Sequence, residues 1–144
     1  SPYILHLGGW KKLADLNISR EEFYQEICEF FNTEKNKIMD IYGMTEQLGT
    51  IYPDCEFGNK HVSAYSDIII RNPLTLKNEE IGKSGLIQLI SPIPHSYPGI
   101  SILSGDFGHL EGIDDCSCGR KGKYFRFDKR SESADLKGCG DTID

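Results

Sequence analysis

Two short stretches of this chain carry the groups that a nucleotide needs around it. Tyr42-Gly43-Met44-Thr45-Glu46 sets an aromatic ring, a hydroxyl and a carboxylate close together. A ring can stack on adenine, a hydroxyl can bond a phosphate, and a carboxylate can hold the Mg²⁺ that offsets phosphate charge. Ser104-Gly105-Asp106 adds a carboxylate able to accept hydrogen bonds from both ribose hydroxyls, beside small residues that let a sugar approach the backbone. Each stretch also has a plainer reading. The first is a strand followed by a capped helical turn, and the second a hairpin turn with Asp in its usual role.

The cysteines suggest a second centre. Cys55 is followed by His61, and Cys116 and Cys118 form a C-x-C pair before Gly119-Arg120. Three thiolates and an imidazole are a closed ligand set for structural Zn²⁺. The plainer reading is unrelated buried thiols and a surface histidine. Cys139 stands apart, flanked by Gly138 and Gly140 and preceded by Lys137. Small neighbours leave its sulfur unobstructed and a lysine lowers a thiol pKa, so it reads either as a nucleophile or as an inert cysteine in a loop. Cys28 lies on a helical pattern and reads as a small core residue. His6, His95 and His109 read as structural histidines.

These residues need elements to position them. Tyr3 to Leu7 reads as a buried strand ending at Gly8-Gly9. Ser19 with Glu22 is a capping-box pair, and Phe23, Ile27, Phe30 and Phe31 recur at helical spacing, which predicts an amphipathic helix from Arg20 to Phe31. Lys37 to Tyr42 reads as a strand, with Thr45 capping a short turn to Gly49. A strand ending in Gly, with Thr and Glu just beyond, aims these groups into a crevice at its carboxyl end. Further strands are expected at Asp67 to Arg71, Gly85 to Ile90, Ile100 to Leu103, Phe107 to Glu111 and Lys123 to Asp128. Short strands punctuated by turn signals predict a twisted sheet or distorted barrel.

Net charge of -6 points away from a nucleic-acid backbone as partner, although basic residues gather between Arg120 and Arg130, a strip that reads as solvated or as a holder of phosphates. Apolar runs fall short of the roughly 20 residues that span a bilayer. The start, Ser1-Pro2-Tyr3, has neither an initiator Met nor a basic leader, so the chain reads as cut from a longer one. Five cysteines, odd in number and unevenly spaced, predict reduced thiols and a cytoplasmic location.

Taken together, the Tyr42–Glu46 and Asp106 motifs and the spacing between them resemble the adenylate-forming superfamily of acyl-CoA synthetases and peptide-synthetase adenylation domains. Within it, the chain is most similar to the LuxE-type acyl-protein synthetases. That resemblance rests on Tyr3 to Lys12, on Tyr42 to Pro53 with Gln47, Gly49 and Ile51, on Pro94 to Gly99, and on Lys137 to Thr142. It spans nearly all of this chain but only the later part of the family's length.

The resemblance implies a mixed α/β fold: the C-terminal part of the superfamily's large domain, with the edge of an α/β sheet and a smaller distorted barrel-like sheet. Residues 1–130 would belong to it, and 131–144 would begin the lid. It implies ATP and Mg²⁺ as cofactors, with AMP held by Tyr42, Gly43, Met44, Thr45, Asp106 and Arg130, and Mg²⁺ by Glu46. Thr45 and Glu46 would act in catalysis, Lys137 would stand for the lid lysine that meets the acyl-adenylate, and Cys139 matches the family's acyl-accepting cysteine. Some phenylacetate-CoA-ligase-like relatives carry a similar Cys-His and C-x-C-G-R arrangement, which favours zinc at Cys55, His61, Cys116 and Cys118. The expected activity is activation of a fatty acid and its transfer to Cys139, then to a partner reductase. An acyl- or aryl-CoA ligase of the same superfamily is one alternative. A zinc-stabilised binding module without catalysis is another. The superfamily's phosphate loop would lie upstream of Ser1, so the chain by itself is expected to make no acyl-adenylate. Its open sheet edges are expected to favour self-association.

Overall fold

The computed structural model describes residues 1–8, 16–47 and 49–131. Strand β1 (Ile4–Leu7) leads to helix α1 (Arg20–Phe31), a 3-10 turn at Lys35–Lys37, β2 (Ile38–Tyr42), a second 3-10 turn at Thr45–Gln47, β3 (Tyr52–Pro53) and β4 (Lys60–His61). Then come β5 (Asp67–Arg71), β6 (Gly85–Ile90), β7 (Ser101–Ile113) and β8 (Lys123–Arg130). The mixed α/β class expected from the sequence stands.

The smaller sheet has the order β1-β2-β3. Strands β1 and β2 are parallel, as a crossover through α1 demands, and β3 returns antiparallel. The capping box forms: the Ser19 hydroxyl accepts from the Glu22 amide at 3.2 Å, and the Glu22 carboxylate accepts from the Ser19 amide at 2.8 Å. Two otherwise unpaired N–H groups are thereby satisfied. Asn32, in the left-handed region at φ 49°, ends the helix.

The apolar face predicted for α1 is only partly covered. Tyr24 is its buried residue, whereas Phe30 is 83% exposed. Strand β1 also differs from its expected burial, because Leu5 and Leu7 are exposed. As an edge strand it turns His6 toward Phe23 and Tyr24 of α1, and the pleat sends Leu5 and Leu7 the other way.

The larger sheet is antiparallel, with order β4-β8-β7-β6-β5. Among the described residues it is open, with β4 and β5 as edges, rather than a closed barrel. The core lies between the sheets: Tyr42 and Tyr52 from one meet Ile68, Ile70, Ile87, Leu89 and Phe125 from the other. Ile69 falls on the opposite face from Ile68 and Ile70, so the isoleucine run forms a half-buried strand.

The predicted turn at Ser104-Gly105-Asp106 is a bulge inside the long strand β7. Gln88 pairs with Leu103 and Leu86 with Phe107, so Ile87 alone stands opposite these three residues. The Ser104 hydroxyl donates to the Ile87 carbonyl at 2.8 Å and fixes the bulge. Pairing to strands on both sides overrides the local turn preference, and the bulge re-aims Asp106.

Buried charges join the two sheets to α1. Asp54, 2% exposed, accepts hydrogen bonds from the Arg20 guanidinium and, at 2.9 Å, from the Asp40 amide. The Lys60 ammonium, also buried, lies 2.6 Å from the Asp40 carboxylate and 3.9 Å from that of Asp54.

Candidate functional site

Three strands converge on Asp106. The Tyr42 hydroxyl, at the end of β2, donates to Asp106 Oδ2 at 2.8 Å. Arg130, the cross-strand partner of Asp106 on β8, brings its Nε to 3.9 Å from Oδ1. The Ser104 hydroxyl accepts from the Asp106 amide at 3.2 Å. Burial, and then the Asp106 carboxylate, raise the Tyr42 pKa, so the phenol stays a donor at neutral pH. Its ring is edge-on to Phe125, with centroids 5.7 Å apart, and tilted against Phe127 at 6.0 Å.

Gly43 and Met44 follow Tyr42, and Met44 packs on the core. Thr45 and Glu46 stand exposed on the next 3-10 turn, so Thr45 belongs to the turn that it was expected to cap. The Tyr97 hydroxyl donates to the Glu46 carbonyl, and Gln47, buried beneath, donates to the Gly99 carbonyl at 3.5 Å. The segment from Pro94 to Gly99 thus closes on the turn. The structure brings Tyr42, Asp106 and Arg130 together. Lys137 and Cys139 lie outside the described residues.

The second centre assembles as the residue types suggest. Ligand atoms of Cys55, His61, Cys116 and Cys118 all lie within 4.8 Å of one another. The Cys55 and Cys116 sulfurs are 4.0 Å apart, and Cys118 Sγ is 3.3 Å from His61 Nε2. A tetrahedral Zn²⁺ with ordinary bond lengths places S···S at about 3.8 Å and S···N at about 3.6 Å. The donor set therefore fits such an ion. His61 is 7% exposed rather than a surface residue, and its Nδ1 is buried without a hydrogen-bond partner. Burial, with Arg120 nearby, lowers its pKa against a smaller pull from Glu56, which favours the neutral ligand form.

Pairing of β4 with β8 sets His61 opposite Tyr124, and the two rings stack at 5.6 Å. The Tyr124 hydroxyl donates to Asp115 at 2.9 Å. A Cβ at position 112 would have to displace this hydroxyl and carboxylate. Asn59 donates to Cys116 Sγ at 3.4 Å and accepts from Arg126. Neither Asn59 nor Arg126 carries a signal in the sequence, since nothing local marks residues that meet across the sheet.

A cleft of about 530 Å³ opens between α1 and the loop from Cys55 to Gly58, away from Asp106. Two of its cations are already paired, Arg20 with Asp54 and Lys35 with Glu21. Asp128, to which the sequence assigns no role, pairs with His109 at 2.7 Å and accepts from Ser84. No helix among the described residues is long and apolar enough to cross a membrane.

The family model described as "Acyl-protein synthetase, LuxE" matches residues 1–144. The chain belongs to that family. It is 30% identical over 138 residues to the long-chain-fatty-acid–luciferin-component ligase of Vibrio harveyi, covering 95% of this chain and 35% of that protein. The ligase of the same name from Aliivibrio fischeri is 30% identical over 112 residues, covering 77% of this chain and 29% of its own length. The chain thus spans about a third of these relatives. Its fold is similar to that of apo MatB from Rhodopseudomonas palustris, with a TM-score of 0.56 at 13% identity over 90% of this chain and 25% of that one. It is also similar to the luciferase-like enzyme from the nonluminescent Zophobas morio mealworm, with a TM-score of 0.57 at 16% identity over 90% of this chain and 31% of that one.

Proposed function

We propose that this chain is the nucleotide-binding edge of a longer ATP-dependent ligase that activates a fatty acid as its acyl-adenylate. The observation that carries this reading is the convergence of Tyr42, Asp106 and Arg130 from three strands. In the proposed reaction a fatty-acid carboxylate oxygen attacks the α-phosphorus of ATP. A new P–O bond forms, the bond to pyrophosphate breaks, and a mixed anhydride with AMP results. Asp106 accepts hydrogen bonds from the ribose hydroxyls, and Arg130 offsets charge beside it. Tyr42 and Met44 border the adenine, while Gly43 leaves room at the strand end. Thr45 donates its hydroxyl to the phosphate. Glu46 would hold Mg²⁺, whose charge offsets that of the phosphates.

The second step is proposed from the family's description as an acyl-protein synthetase. The Cys139 thiolate attacks the acyl carbon, a thioester forms and AMP leaves, with Lys137 beside the anhydride. A partner reductase would then take the acyl group. A ligase that passes the acyl group to coenzyme A would use the same described residues, and the adenylation step is what the geometry favours. Cys55, His61, Cys116 and Cys118 would hold a structural Zn²⁺ that ties the end of β3 and β4 to the β7–β8 turn. Its part is folding rather than chemistry, since the ligand set leaves no open position.

The test uses the full-length protein with radiolabelled fatty acid, ATP and Mg²⁺. Label on the protein, removed by hydroxylamine and absent in Cys139→Ala, is the expected result. Label that appears only as a soluble thioester when coenzyme A is added would replace the acceptor and keep the adenylate step. No activation of the acid under either condition would overturn the reading.

A further inference from the structure

We propose that Asn59 is a positioning residue of the Cys3His centre, its amide aimed at Cys116 by Arg126. The proposal rests on the metal reading above and goes beyond its four ligands. Asn59 is 8% exposed, and its side chain is used at both ends. Oδ1 accepts from Arg126 Nε at 3.0 Å, and Nδ2 lies 3.4 Å from Cys116 Sγ. A guanidinium can only donate, so it fixes which end of the amide faces it and turns the NH₂ toward sulfur.

Arg126 is itself anchored. Its Nε lies 3.0 Å from Glu111 Oε1, and its Nη2 donates to the Phe57 carbonyl at 3.2 Å. The backbone of Asn59 serves a second ligand, because its carbonyl accepts from the Cys55 amide at 3.0 Å. One residue thus braces Cys55 through its main chain and Cys116 through its side chain.

The chemistry gives the amide a purpose. Three thiolates and a neutral imidazole around a divalent cation leave a net negative charge in a buried site. An N–H donated to one sulfur spreads that charge and holds the sulfur on its bond direction. Partners of this kind typically change metal affinity by about 10- to 100-fold. Asn59 touches no reacting group, so its effect is read on the metal.

The test uses the full-length protein, stripped and reloaded with zinc or cobalt(II). Zinc affinity is measured by competition with a chromophoric chelator, and the thiolate-to-cobalt charge-transfer band is recorded. Asn59→Asp and Asn59→Ala are each expected to lose zinc affinity by about tenfold or more and to move the band to lower energy. Asn59→Asp keeps the shape and the Arg126 contact but replaces the N–H with a carboxylate oxygen facing the sulfur. Its loss should therefore be at least that of the alanine variant, and it stays readable where the alanine variant folds poorly. A merely structural role would leave the band in place. Unchanged affinity with an unchanged band in Asn59→Asp would overturn the proposal and leave the metal site intact. A parent protein that takes up no zinc would overturn both.

Discussion

Replacing Asp54 by alanine tests how the two sheets are joined. Asp54 is 2% exposed and serves three groups: the Arg20 guanidinium, the Asp40 amide and, at 3.9 Å, the Lys60 ammonium. Arg20 is half exposed, so water replaces much of its lost partner and the cost there is about 1 kcal/mol. The Asp40 amide loses its acceptor inside the structure, at about 2 kcal/mol. Lys60 keeps the Asp40 carboxylate at 2.6 Å and the Asp40 carbonyl at 3.0 Å, and adds little. Asp54→Ala should therefore destabilise the β2–β3 region by about 3 kcal/mol, at the low end for breaking a buried ion pair. Asp54→Asn retains an acceptor for the Asp40 amide and should cost about 1 kcal/mol. The assay is amide hydrogen exchange on residues 38–54, where 3 kcal/mol corresponds to roughly 150-fold faster exchange. Exchange in Asp54→Ala within threefold of the parent would refute the reasoning, as would equal rates in the two variants.

Three further outcomes follow from the same contacts. Phe125, fully buried between Tyr42 and Tyr52, should cost about 3–5 kcal/mol as Phe125→Ala, measured by denaturant unfolding of the protein. Burial lowers the His6 pKa despite Asp40 and Asp54 nearby, with Lys60 and Arg20 acting in the same direction as burial. The unfolded chain therefore binds the proton first, and His6 stability is full above the ordinary histidine pKa and is lost as pH falls below it toward the folded value. His6→Gln should flatten this part of the profile of melting temperature against pH. Stripping metal with a chelator should lower the melting temperature and open the β7–β8 turn to trypsin at Arg120, both restored by zinc.

Where residues near in sequence decide the structure, the sequence was sufficient. The Ser19–Glu22 pair gives α1 its first residue, and turn residues bound β5 and β6 where they were expected. The chemistry of Cys55, His61, Cys116 and Cys118 suggested one ligand set beside a plainer reading, the resemblance favoured it, and the fold brings their ligand atoms within 4.8 Å of one another. What was missed depends on partners distant in sequence. Ser104-Gly105-Asp106 favours a turn locally, but strands β6 and β8 on either side pull it into a bulge. The helical spacing of Phe30 and Phe31 marks an apolar face, and only the packing shows that it is uncovered. Arg20, Asp40, Asp54 and Lys60 share no periodicity, so their buried cluster has no signature short of the fold.

The most direct test of the central claim is fatty-acid-dependent exchange of radiolabelled pyrophosphate into ATP by the full-length protein and its Asp106→Ala variant. Two hydrogen bonds to a charged acceptor are worth about 3 kcal/mol or more together, so the variant should exchange at least about 100-fold more slowly. Exchange in Asp106→Ala at the parent rate, or a parent that exchanges no pyrophosphate when fatty acid is added, would contradict the account.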